Sequence, residues 1–295
     1  MASLDLSGVF PPVPTPFAAD ESIAPAALQH NLSHMLRAPL RGVVVLGSNG
    51  EAPLVADDDA EAMIAAAREV VPRDRVLVAG TGRESTRETI RFTERAAAAG
   101  ADAVLVRTPS FFKSQLTTAA FVRHYTEVAD RSPVPVLLYN YTALTGVTLP
   151  PEAVATLAQH PNIIGMKESG TDELLIAAYG AHVSENFQLL GGTVTALHAS
   201  MAAGATGAVL AAAVVVPARC IELFDMFRTG REREGRELQR RIVALNAHVT
   251  ATYGVAGLKI AQDLVGQRGG LPRLPLLPAP ADARAVIAAE LDELE

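Results

Sequence analysis

The sequence is poor in several residue types, and each shortage narrows what the protein can be. It contains no tryptophan and only one cysteine, Cys220, so an intramolecular disulfide is excluded. Cys220 follows an apolar run, and free cysteines are often buried, so we expect a structural thiol here. No cluster of basic residues occurs and the formal net charge is −7, which argues against a nucleic-acid partner.

Long hydrophobic runs are absent as well. The longest apolar stretch, residues 207–218, is shorter than the roughly 20 residues that a membrane-spanning helix needs. Residues 1–10 lack the basic segment and apolar core that are typical of a secretory signal. We therefore expect a soluble, cytoplasmic protein without a membrane partner.

Lysine is scarce, because only three of the 25 basic residues are lysine. Any chemistry that needs a lysine amine therefore has three candidates, Lys113, Lys167 and Lys259. Lys113 falls in a polar loop and Lys259 in an amphipathic helical stretch. We expect the ammonium groups of both to be hydrated.

Apolar, β-branched runs alternate with longer alanine-rich stretches, and this alternation predicts the fold class. The runs are apolar throughout, which is typical of strands buried on both faces of a parallel sheet. Eight runs in repeated βα units predict an α/β fold, a TIM (β/α)8 barrel. An open doubly wound sheet fits less well, because no glycine-rich dinucleotide motif follows the first run. The predicted strands lie within residues 8–17, 42–48, 75–81, 102–108, 134–140, 162–168, 187–193 and 205–211.

The strand pattern stops near residue 212, and the rest of the chain looks helical. Helical patterns cover residues 215–228, 232–252, 255–265 and 281–294. We therefore expect a barrel catalytic domain over residues 1–212 and a C-terminal helical domain over residues 213–295.

Lys167 is the residue with the clearest chemical meaning. It ends the sixth predicted strand, and active sites of (β/α)8 barrels lie at the C-terminal ends of the strands. An amine in an apolar setting loses hydration, which favours the neutral form that attacks a carbonyl carbon. The resulting protonated imine withdraws electrons, so that a nearby C–C bond can break or form. From the residues alone, a lysine paired with a carboxylate remains the alternative.

Two further strand ends carry candidate groups. Tyr139 ends the fifth strand, and its phenol could transfer protons near an imine; a core tyrosine with a bonded hydroxyl is the alternative. The turn after the second strand, residues 47–51, could present backbone N–H groups and the side chains of Ser48 and Asn49 to a carboxylate.

No metal site and no cofactor are expected. His30 and His34 are four residues apart, but no glutamate completes a zinc motif, and a helix surface explains them. The sequence also lacks a phosphate-binding loop and a nucleophile-elbow motif.

With these residues placed, the chain resembles the dihydrodipicolinate synthase / N-acetylneuraminate lyase family of class I aldolases. The resemblance extends over nearly the whole chain. The matching segments, in family order, are Gly47–Glu51, Ala98–Ala103, Tyr139–Tyr141, Gly165–Ser169 and Gly204–Ala208.

The resemblance implies a (β/α)8 barrel with a C-terminal helical domain, assembled as a homo-oligomer, either a tetramer or a dimer. It implies that Lys167 forms an imine with pyruvate or another 2-oxo acid, and that Tyr139 transfers protons. The residues expected to contact the substrate are Ser48, Asn49, Gly50, Ser169, Gly191 and Val209.

Within the family, the sequence is most similar to 4-hydroxy-2-oxoglutarate aldolase, over residues 47–51, 84–90, 124–139 and 158–167. That enzyme would split its substrate into pyruvate and glyoxylate. The synthase branch usually has two threonines where this chain has Ser48-Asn49. It also has an arginine for a second carboxylate where this chain has Leu144.

Some positions depart from the family pattern. Phe111-Phe112 stand where a tyrosine pair is frequent, and Val214 replaces a frequent asparagine. Three alternatives therefore stay open: a dihydrodipicolinate synthase, a 2-keto-3-deoxy sugar acid aldolase or dehydratase, and a barrel that binds a 2-oxo acid without turnover.

Overall fold

The computed structural model describes residues 4–294, and eight strands occur in that part of the chain. Nearly all strand residues are buried, which explains why the sequence runs are apolar throughout. The strands are β1 Gly8–Phe10, β2 Gly42–Val45, β3 Val76–Gly80, β4 Ala103–Arg107, β5 Val136–Asn140, β6 Ile163–Glu168, β7 Gln188–Gly191 and β8 Gly207–Val209.

The strands form one sheet in the order β1-β8-β7-β6-β5-β4-β3-β2. Consecutive strands from β3 to β8 pair in parallel. The two ends of this order, β1 and β2, are also connected: Pro12, just after β1, forms a parallel bridge with Val44 of β2. On its other side, Gly8 N of β1 donates to Thr206 O, just before β8, at 3.3 Å. The predicted (β/α)8 barrel is confirmed.

Helices occupy the connections and the C-terminal region. They are α1 Pro25–Met35, α2 Asp57–Val70, α3 Thr86–Ala98, α4 Thr118–Arg131, α5 Thr142–Thr145, α6 Pro151–Leu157, α7 Glu173–Gly180, α8 Leu197–Ala202, α9 Pro217–Arg228, α10 Glu232–Asn246, α11 Gly254–Leu264 and α12 Ala283–Asp292. No helix within residues 4–294 is both long enough and apolar enough to cross a membrane.

The predicted helix over residues 232–252 is interrupted. Its α-helical part ends at Asn246, and a π-helical turn follows over Ala247–Thr252. The hydroxyl of Thr250 donates to the Asn246 carbonyl at 3.1 Å, and that of Thr252 to the Ala247 carbonyl at 2.9 Å. These side chains compete for carbonyls that a regular helix would use, which favours the wider turn.

By contact density the chain divides into two compact units. The first contains residues 4–8 and Val78–Val209. Side-chain caps start several of its helices: the Ser85 hydroxyl accepts from Glu88 N at 3.2 Å, and the Asp172 carboxylate accepts from Leu174 N at 3.0 Å. Such caps satisfy N–H groups that have no partner within the helix.

The second unit contains Val9–Leu77 and the chain from Leu210 to residue 294. Its core includes Cys220, which is fully buried on α9, as predicted. Burial raises the pKa of this thiol to about 12. The expected domain boundary at residue 212 stays a prediction.

Candidate active site

The candidate site in the first unit is built on Lys167 of β6 and Tyr139 of β5. These residues are opposite each other in the parallel ladder, so their side chains lie on the same face of the sheet. The Lys167 Nζ is 3.3 Å from the Tyr139 hydroxyl and 4.3 Å from the centroid of its ring. Both side chains are buried at the ends of apolar strands. An amine and a phenol are therefore in direct contact, with little water around them.

A second pair, one residue further along, fixes the two strand ends from the other face. Asn140 and Glu168 are paired in the ladder, and Asn140 Nδ2 donates to Glu168 Oε2 at 2.6 Å. The same carboxylate accepts from Gly170 N. Burial raises the pKa of Glu168, although the hydrogen bonds from Asn140 and Gly170 and the charge of Lys167 act in the opposite direction. This network fixes the chain directly after Lys167.

Ser169 follows this pair and carries a buried hydroxyl. Its backbone N–H donates to Asn140 O at 3.1 Å, which fixes its main chain. Within residues 4–294 no group hydrogen-bonds its Oγ. A β-carbon at Gly192 would lie 2.2 Å from that Oγ, so the serine needs a glycine beside it. A buried hydroxyl without a protein partner is available to a ligand.

The other two predicted substrate contacts in the first unit, Gly191 and Val209, lie on different faces of the sheet. Gly191 is paired with Glu168 rather than Lys167, and a β-carbon there would point to Ser200 of α8 at 3.0 Å. Only its backbone could contact a substrate on the Lys167 face. Val209 ends β8 and is buried; the two-residue alternation from Gly207, which is paired with Leu190, places it on the Lys167 face.

The predicted carboxylate-binding turn lies in the second unit, and we call residues 47–51 the β2 turn. Gly50 N donates to Gly47 O at 3.0 Å, which closes the turn. Ser48 and Asn49 are half-buried at its apex. Gly50 has no room for a side chain, since a β-carbon would lie 2.9 Å from Leu46 Cα.

The loop after β4 carries the atypical phenylalanine pair. Phe111 and Phe112 are 78% and 71% exposed, so neither ring is part of the core. Glu84 fixes the loop: its Oε2 accepts from Ser110 N at 2.9 Å and from Phe111 N at 3.0 Å. Its Oε1 pairs with Arg107 at 2.8 Å.

The loop after β5 contains Leu144, which is 63% exposed. Lys113, exposed as predicted, reaches this loop from the neighbouring one. A β-carbon at Gly146 would lie 2.5 Å from the Lys113 Nζ. A positive charge is therefore present beside the loop although Leu144 itself is apolar.

The expectation that the Lys259 ammonium is hydrated is wrong. Lys259 lies on α11 with its side chain fully buried, and its Nζ is 2.7 Å from Glu51 Oε1. The partner, Glu51, lies far from Lys259 in the sequence, so no local pattern indicated the pair. The flanking residues, Leu258 and Ile260, are apolar on both sides of the lysine, and this signal could have indicated burial.

A metal site is not found among residues 4–294, where no three His, Cys, Asp or Glu residues are grouped as metal ligands would be.

Comparisons with known proteins agree on one family. The profile of the dihydrodipicolinate synthetase family matches residues 5–294. A 4-hydroxy-tetrahydrodipicolinate synthase of Exiguobacterium is 33% identical and covers 97% of each chain. A probable mitochondrial 4-hydroxy-2-oxoglutarate aldolase of Emericella nidulans is 32% identical and covers 98% of this chain and 95% of its own. A prophage protein of the dihydrodipicolinic acid synthase family from E. coli K12, solved in complex with pyruvate, is 27% identical. It aligns with a TM-score of 0.90 over 98% of each chain.

Proposed function

Because the chain belongs to the dihydrodipicolinate synthetase family, whose members are lyases, we propose that Lys167 forms the imine with a 2-oxo acid and that 4-hydroxy-2-oxoglutarate is cleaved. The observation that carries the proposal is the contact between the Lys167 amine and the Tyr139 phenol, 3.3 Å apart and buried.

In the proposed reaction the neutral Lys167 amine attacks the C2 carbonyl, and loss of water gives a protonated imine. Tyr139 supplies the proton that leaves with this water, and the resulting phenolate accepts the proton of the C4 hydroxyl. The C3–C4 bond breaks, its electron pair passes into the imine, and glyoxylate leaves. The enamine takes a proton at C3, and hydrolysis of the imine then releases pyruvate and the free amine.

Several of the predicted contacts, and in addition Lys113, take binding roles in this proposal. Ser48 and Asn49, with the N–H groups of the β2 turn, bind the C1 carboxylate. The Ser169 hydroxyl, which lacks a partner among residues 4–294, hydrogen-bonds the substrate beside the imine. Lys113, at the loop after β5, receives the C5 carboxylate.

The second candidate is a 4-hydroxy-tetrahydrodipicolinate synthase. A relative that is 33% identical carries this name. Leu144 stands where the synthase branch usually has an arginine, and this departure disfavours the second candidate. A substrate panel distinguishes the two. Equal release of glyoxylate and pyruvate from 4-hydroxy-2-oxoglutarate supports the aldolase, and condensation of pyruvate with aspartate semialdehyde supports the synthase. Binding of pyruvate without turnover of any panel member would contradict both.

A further inference from the structure

A buried ion pair connects the β2 turn with helix α11. The Lys259 Nζ lies 2.7 Å from Glu51 Oε1, and both side chains are fully buried. Removing two charges from water is costly, and apolar replacements of buried pairs are often equally stable. Stability alone is therefore a weak explanation for the pair. Its position is informative, because Glu51 is the last residue of the β2 turn.

The lysine is held in place by the segment of residues 267–273. Its Nζ donates to the carbonyl of Leu271 at 2.8 Å and lies 4.5 Å from the centroid of the Phe17 ring. The main chain of Gly269 packs closely on α11, since a β-carbon there would lie 1.9 Å from the Lys259 carbonyl oxygen. These contacts hold the Lys259 ammonium against the Glu51 carboxylate.

The segment of residues 267–273 also holds Glu51 in place. Its second carboxylate oxygen, Oε2, accepts from the backbone N–H of Arg273 at 2.8 Å. The backbone of Glu51 has a φ of 54°, in the left-handed region that non-glycine residues rarely adopt. Such a conformation persists where surrounding contacts enforce it, and here the two bonds to the carboxylate do so.

The other side of the turn is also fixed. The Thr15 hydroxyl donates to the Gly50 carbonyl at 2.6 Å, within the same unit. Ser48 and Asn49 are thus the half-buried residues of a turn whose remaining backbone is constrained on both sides. Displacing Glu51 would move the groups at the apex.

We propose that the Glu51–Lys259 pair holds the β2 turn in the conformation that binds the carboxylate of the 2-oxo acid, which makes Lys259 a positioning residue for substrate. This inference rests on the function proposed above. The alternative is a pair that contributes only to the stability of the fold.

The test replaces both charges together, in Glu51→Gln/Lys259→Met, with each single variant alongside. Neutral replacement of a whole buried pair leaves no unpaired charge, so we expect the double variant to fold. The pyruvate concentration that gives half-maximal borohydride trapping at Lys167 should rise about tenfold, because hydrogen bonds to a charged ligand are lost. Trapping at saturating pyruvate should still reach completion.

Ile242→Ala is the matched control, because Ile242 is fully buried on α10 and makes no contact with substrate in the proposed mechanism. It should lower the melting temperature without changing the half-saturating pyruvate concentration. An unchanged value in the folded double variant would overturn the inference while leaving the imine mechanism intact. Absence of any adduct in the wild-type protein would instead refute the proposed function.

A second measurement uses the unmodified protein. Pyruvate should slow amide hydrogen exchange in residues 48–51 and also at Arg273, whose N–H is bonded to Glu51. Slower exchange that stops at the turn and leaves Arg273 unaffected would contradict the coupling.

Discussion

The Lys167 amine lies 3.3 Å from the Tyr139 hydroxyl, at directly paired positions of two parallel strands. The ladder itself brings the two groups together, because opposite residues of neighbouring parallel strands point to the same face. Asn140 and Glu168 form the equivalent pair on the opposite face, with 2.6 Å between their side chains. Each strand end therefore carries one residue of the proposed catalytic pair and one residue whose hydrogen bond links the two strand ends.

Tyr139→Phe should separate proton transfer from imine formation. The variant keeps the ring beside Lys167 but removes the hydroxyl, so kcat for cleavage should fall about 10²- to 10³-fold. Borohydride trapping of pyruvate on Lys167 should remain detectable, because the amine is unchanged. The measurement pairs steady-state kinetics with mass spectrometry; turnover at the wild-type rate would contradict the role of the phenol.

Ser169→Ala should affect binding and leave stability unchanged. The Ser169 hydroxyl lacks a protein partner within residues 4–294, so its removal breaks no internal hydrogen bond. We expect KM to rise about three- to tenfold, as for loss of one neutral hydrogen bond. Thr93→Val, which removes a buried 2.9 Å bond to Thr81, should lower the melting temperature. Thermal unfolding and kinetics of both variants check the contrast.

Lys113→Ala should weaken recognition of a substrate that carries a second carboxylate. Lys113 belongs to the loop after β4, and its Nζ lies beside Gly146 of the loop after β5. Its replacement would remove a charge-assisted bond to the ligand. KM for 4-hydroxy-2-oxoglutarate should rise about tenfold, whereas half-saturation by pyruvate alone should not change. Lys113→Arg should retain most of the affinity. Equal effects on both ligands would show that the role lies elsewhere.

Glu84→Gln should loosen the loop that carries Phe111 and Phe112. Partial burial of Glu84 opposes its ionisation, but the N–H of Ser110, the Arg107 guanidinium and the N–H of Phe111 outweigh burial and lower the pKa. A carboxyl group with a lowered pKa stabilises the fold above its unfolded value, near pH 4.5, and loses this contribution as pH falls through the lower folded value. The stability difference between wild type and variant should therefore shrink below about pH 4.5. Denaturant unfolding at several pH values measures this. A difference that stays constant with pH would exclude ionised Glu84 as its source.

The sequence was sufficient to predict the barrel, because eight apolar runs at regular spacing correspond to strands buried on both faces. The ends of the strands were predicted less accurately than their number and order. The run over residues 187–193 was predicted whole, whereas β7 covers Gln188–Gly191, because the ladder pairs with both neighbouring strands end at Gly191. Lys167 and Tyr139 could be selected as candidates because each lies at the end of an apolar run.

Contacts between distant parts of the chain could not be predicted in the same way. The burial of Lys259 depends on Glu51 and on the carbonyl of Leu271, and no local pattern around α11 specifies either partner. The Ser169 hydroxyl, which has no partner within residues 4–294, likewise depends on Gly192 at a different strand end. Assembly into a homo-oligomer stays a prediction.

The central claim is that Lys167 is the covalent catalyst, and borohydride reduction in the presence of pyruvate tests it most directly. One reduced pyruvyl group per chain should appear by mass spectrometry on the peptide that contains Lys167. Lys167→Ala should abolish both the adduct and turnover while retaining the fold, because Lys113 is exposed and Lys259 is held in an ion pair. An adduct on Lys113 or Lys259, or full turnover by Lys167→Ala, would contradict the account.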